Sequence, residues 1–181
     1  MPQSQPLRIV SLLPSATEIL AALGLTPFIV GRSHECDYPP DIQDRPVCTA
    51  ARLSTAQASP QIDADVKTLL NKTLSIYDIH LNVLQQLQPT HIVTQDQCDV
   101  CAITFSDVQK AVAMLVDPQP QVISLQPNTL QDVWADIDRV ASALGIDAKP
   151  VLNNLYHRVE LCRQKTQHLK PDQRPTVAAI E

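Results

Sequence analysis

Apolar positions come in short blocks along the chain, and polar punctuation separates them. Leu7–Leu13 (LRIVSLL) is nearly all apolar and stops at Pro14, which predicts a strand buried on both faces. Ser15 and Glu18 then have capping-box spacing, and Ile19, Leu20 and Leu23 recur at helical spacing before Gly24. A second strand is predicted over Phe28–Gly31, followed by a long polar loop from Arg32 to Pro46 and a short strand over Val47–Thr49. Ser59, with Pro60 at the first helical position, starts a helix with Ile62, Val66, Leu69 and Leu70 inward. Asp78 starts another, with Ile79, Val83, Leu84 and Leu87 inward and Pro89 at its end. His91–Gln95 reads as a strand, Ser106 to about Val116 as a helix, Gln121–Leu125 as a strand, and Thr129–Leu144 as a helix closed by Gly145.

Strand and helix thus alternate, which implies parallel strands joined by right-handed crossovers and an α/β fold. The expected architecture is a parallel-sheet lobe with helices on both faces over residues 1–148. One long helix follows at 149–170, with Val151, Leu155, Val159 and Cys162 forming its apolar stripe. Residues 171–181 break from it, and Thr176–Glu181 reads as a fresh strand opening a second lobe.

Composition narrows the function. Apolar residues make up 44% and charged residues 18%, so a real core is available. A net charge of −5 without a basic stripe, and only 3% aromatics, argue against a nucleic-acid partner. No run approaches the length of a membrane helix, and no leader is legible at the N-terminus, so a cytoplasmic location is expected unless a leader is missing. Five cysteines is an odd count, which points to free thiols or metal ligands.

The chemistry-bearing residues follow predicted strands. In a parallel sheet, the turns beyond the carboxyl ends of the strands gather ligands. His34 and Cys36 follow the second strand; Cys98 and Cys101, a CxxC pair, follow His91–Gln95. One His and three Cys form a donor set for zinc, iron or another thiophilic metal. Asp37, Asp96 and Asp99 lie nearby in sequence. Two other readings remain open: a small redox or zinc-binding protein using Cys98 and Cys101 alone, and inert turn thiols. Cys48 and Cys162 read as core, and His80, His91, His157 and His168 as structural or solvated. Tyr38-Pro39-Pro40 reads as a rigid turn with Tyr38 free to stack on a ligand. Walker A, GxSxG and GxGxxG motifs are absent.

The segments RIVSLLPSATEILAALGL, IVGRSHECDYPP, LQPTHIVTQDQCDVC and VISLQPNTLQDVWADIDRVASALG occur in this order. Together they resemble the N-terminal lobe of the class III (helical-backbone) cobalamin- and iron-siderophore-binding proteins of ABC importers, in a cytoplasmic cobalamin-binding-protein-like branch. The resemblance implies two α/β lobes bridged by a long helix, with ligand between them, and a binder in place of an enzyme. It places Ser15, Glu35, Asp37, Tyr38, Gln95 and Asp96 in the ligand cleft. The implied ligand is a corrinoid or other metal chelate, and the implied partners are a second lobe, a second copy or an importer. The aromatic positions of the cobalamin cleft fall here on Glu35, Ala50 and Gln95, and the acidic importer-docking position falls on Asn82.

Overall fold

The computed structural model describes residues 6–51, 77–96, 105–115, 119–170 and 173–178. A four-stranded parallel sheet forms its centre, built from β1 (Ile9–Ser11), β2 (Ile29–Arg32), β5 (His91–Gln95) and β6 (Gln121–Leu125). The order across the sheet is β2-β1-β5-β6. Both faces of the sheet are covered, and successive residues feed opposite cores. Ile9 and Val93 pack on one face; Val10 and Ile92 pack on the other.

Helices cover both faces. Helices α1 (Pro14–Ala22) and α4 (Leu130–Ala143) bury Ala16, Leu20, Ile137 and Val140 against the first face. Helices α2 (Leu81–Leu87) and α3 (Phe105–Ala113) bury Leu84, Val108 and Val112 against the second. The final helix, α5 (Lys149–Thr166), is about 27 Å long. Val151, Leu152 and Leu155 rest on the first core, and the Tyr156 ring meets Trp134 of α4 edge-on at 5.7 Å.

Most predicted elements stand where the pattern put them, and the exceptions have physical causes. Helix α1 starts at Pro14 with Leu13 as the residue before it and no side-chain cap, so Ser15 and Glu18 do not form the expected box. Thr17 Oγ1 turns back to Leu13 O at 3.3 Å and donates to Ser11 Oγ at 2.8 Å. Asp78 does not start a helix. It sits in β4 (Tyr77–Ile79), which pairs antiparallel with β3 (Thr49–Ala51) as a separate two-stranded ribbon. A single bridge from Val47 to Arg32 ties that region to the main sheet. Helix α2 follows His80 and ends on Gln88, whose φ of 44° is left-handed, just before Pro89. Ser106 lies inside the first turn of α3. Thr129 caps α4 in a full capping box with Asp132, and Gly145 closes the turn after it at φ 70°.

The stripe on α5 fails in its second half. Val159 is 44% exposed, and Cys162 is exposed where a core position was expected; among the described residues the apolar packing of the helix on the first core runs through Val151, Leu152 and Leu155. Residues 176–178 form no strand, and the rest of the expected strand lies outside the described residues. The expected helix from Ser59 lies outside them too.

Candidate functional site

Because the four strands run parallel, their carboxyl ends open on one edge. Arg32 of β2 and Val93 of β5 are both register partners of Ser11, one on each side of β1. The loop after β2 and the exit of β5 therefore stand two strand spacings apart, about 10 Å. Between them lies the start of α1, with Ser15 exposed. The exit of β6, at Gln126, is next along the rim.

The β2 loop, Ser33 to Tyr38, is held from inside. The Arg32 guanidinium donates to the carbonyls of Ser33 at 3.1 Å, Cys36 at 3.0 Å and Gln43 at 3.1 Å. Gln43 Nε2 donates to Asp37 O at 2.9 Å. Thr49 Oγ1, buried in β3, accepts from His34 N at 3.0 Å, lies 2.7 Å from His34 Nδ1 and donates to Ser33 Oγ at 3.1 Å. The His34 ring tilts against Tyr77 with centroids 5.5 Å apart. Tyr77 donates its hydroxyl to Glu35 Oε1 at 3.0 Å. Burial and the Glu35 carboxylate push the Tyr77 hydroxyl up to about 12, so it stays a donor at neutral pH. The loop is thus preset, with His34 half-buried and Glu35, Asp37 and Tyr38 facing solvent. Tyr38 is 60% exposed beside the cis Tyr38–Pro39 bond, in keeping with the turn read there.

At the β5 and β6 exits, Asp96 N donates to Leu125 O at 3.1 Å, and Gln126 Nε2 donates to Asp96 Oδ2 at 3.2 Å. Asp136 of α4 is buried below. It accepts from Gln126 N at 3.1 Å and from Arg139, which also reaches Ser124 O. Burial raises the Asp136 carboxyl, and the Arg139 charge opposes that rise. Gln95 is half-buried and Asp96 exposed.

Cys36 does not join this exposed set. It is 1% exposed and belongs to the core under α1, where its sulfur lies 3.1 Å from Thr17 Oγ1. Burial raises its thiol above the ordinary cysteine range. Cys98 and Cys101 lie outside the described residues. Among the described residues no group of three His, Cys, Asp or Glu side chains is arranged to hold a metal ion. Cys48 is buried as expected, its thiol pushed up to about 12 by desolvation. Sequence reasoning missed Arg32, Thr49, Tyr77, Gln126 and Asp136, which shape the rim. A half-polar residue in a short β-strand, such as Thr49, carries no signal by itself until its partner strand is known.

No family model matches the chain, and no curated protein does. Solved structures do. The periplasmic heme-binding protein RhuT from Roseiflexus sp. RS-1, in apo form, superposes with TM-score 0.63 at 21% identity, over 91% of this chain and 51% of that one. The fold is that of the class III periplasmic binding proteins. The periplasmic vitamin B12 binding protein BtuF of Vibrio cholerae matches with TM-score 0.57 at 19% identity, over 91% of this chain and 52% of that one. Helicobacter pylori CeuE with Ni(II) bound matches with TM-score 0.57 at 19% identity, over 94% and 48%. The chain therefore spans about half the length of the periplasmic binding proteins it matches. These neighbours are binding proteins.

Proposed function

We propose that this chain binds a metal-bearing small molecule, such as a corrinoid or an iron chelate, on the rim formed by β1, β2 and β5. The observation that carries the reading is the preset β2 loop. Arg32, Gln43 and Thr49 fix its backbone, His34 and Glu35 are held against Thr49 and Tyr77, and the Asp37 side chain and Tyr38 ring face solvent. Internal bonds of this kind lower the ordering cost of binding. Ser15, Gln95 and Asp96 extend the same edge. The fold is shared with proteins whose names state heme, vitamin B12 or nickel as their ligand, which supports the ligand class.

One rim covers one side of a ligand. A second lobe, a second copy of the chain or an importer subunit would supply the other wall, and the chain alone should bind weakly. The test is an equilibrium titration of the chain with aquocobalamin and with zinc protoporphyrin. Tyr38→Ala removes the large exposed ring of the loop and should weaken binding about tenfold without changing stability. Equal affinity of wild type and Tyr38→Ala would count against the rim.

A further inference from the structure

We infer that the rim sorts its ligands by charge: it takes chelates of net positive charge and rejects anionic chelates of the same size. The inference rests on the function proposed above and names the class of its ligand.

Carboxylates stand on the outside of the rim. Asp37 is exposed on the β2 loop, and so is Glu35, which the Tyr77 hydroxyl holds in place. Asp96 is exposed at the exit of β5, about 10 Å away across β1. Glu18, also exposed, lies one turn into α1, which starts between them.

The cations among the described residues nearby are turned elsewhere. Arg32 commits its guanidinium to the carbonyls of Ser33, Cys36 and Gln43, inside the loop. Arg139 lies below the β6 exit, on Ser124 O and on Asp136, whose charge offsets its own. Arg45 comes two residues before Val47, which runs parallel beside Arg32, and so enters from the side of the amino edge. Lys110, in the second turn of α3, pairs with Asp107. The segment from Asp96 to α3, residues 97–104, has Asp99 as its one charged side chain.

A surface of one sign raises the local concentration of ligands of the other sign, and like charge brought against it costs affinity. Chelates that carry free carboxylates, such as the propionates of a porphyrin, are best held by guanidinium forks aimed at the ligand. Among the described residues the rim aims none outward. Tyr38 adds to the same preference. Its exposed ring follows Asp37 directly and offers a cation the negative face of its π system.

The experiment is a low-salt titration of the chain with two zinc porphyrins of matched size, followed by absorbance. One is the tetrakis(N-methylpyridinium) cation and the other the tetrakis(sulfonatophenyl) anion. The cation should bind about tenfold tighter or better, and added salt should narrow the gap. Net charge alone would give some preference, so position is tested separately. Asp37→Asn/Asp96→Asn removes two charges from the rim. Asp138→Asn/Asp147→Asn removes two from α4 and the turn beyond its far end. All four positions are exposed, so both variants should fold. The rim variant should lose most of the preference and the α4 variant should keep it. Equal binding of the two porphyrins, tighter binding of the anion, or the same loss in both variants overturns the inference and leaves the proposed function standing. Failure of both porphyrins to bind removes both.

Discussion

Thr94 and Ser124 face each other in the β5–β6 register, and among the described residues neither buried hydroxyl oxygen has a hydrogen-bond partner. An unpaired buried hydroxyl is a standing cost, and replacing it with a methyl of similar shape removes that cost. Thr94→Val should therefore leave stability unchanged or raise it, as read by chemical denaturation. A loss of more than about 1 kcal/mol would mean that the hydroxyl has a partner the structure does not hold, such as a water. Such single residues are where the sequence is least legible. Cys36 illustrates it: two residues from His34 on a polar loop, it reads as a partner ligand, yet its side chain turns inward to Thr17. Adjacent loop residues can face opposite directions, and no periodicity reports which.

Regular elements were far more legible. The strands predicted at His91–Gln95 and Gln121–Leu125 match β5 and β6 end for end, because each carries a β-branched apolar centre, Ile92-Val93 and Val122-Ile123, between polar ends or turn signals. Helix α4 carries its own start and stop signals. Hydrogen bonds from Thr129 and Asn128 hold the Asp132 carboxyl there below the usual range. A lowered folded value means a stabilising contribution that is complete above the unfolded value, about 3.9. It is lost as pH falls through the folded value. Asp132→Asn should flatten this part of the acid dependence of unfolding; an unchanged acid profile would remove the carboxylate from the cap. The β3–β4 ribbon was not legible. Its strands have three residues each, and pairing of Asp78 with Ala50 outweighs the capping preference of the aspartate. Gly31 in β2 was equally silent. A Cβ there would meet Leu87 Cδ1 at 2.6 Å and Cys48 Sγ at 2.7 Å, so β2 and the second core close only over a glycine. Gly31→Ala should cost about 1–3 kcal/mol by overpacking; thermal unfolding unchanged within error would show that Leu87 moves aside freely.

The lobe is organised around the shared direction of its four main strands. That direction brings the loop after β2 and the exit of β5 to one edge although some 60 residues separate them, a distance visible in the chain from His34 to Asp96. Alternating strand and helix blocks made this direction readable, since parallel neighbours require long crossovers. The sequence could not show where the first core ends under α5. That helix rests on the lobe through Val151 and Leu155, while Val159 and Leu161 lie 44% and 41% exposed. The most direct measurement of the rim as a binding site is anomalous diffraction from crystals of the chain grown with aquocobalamin or zinc protoporphyrin. The account predicts a single cobalt or zinc peak at the carboxyl edge of the sheet, beside His34. A peak at the opposite edge, near Arg8, Thr90 and Gln121, would contradict it.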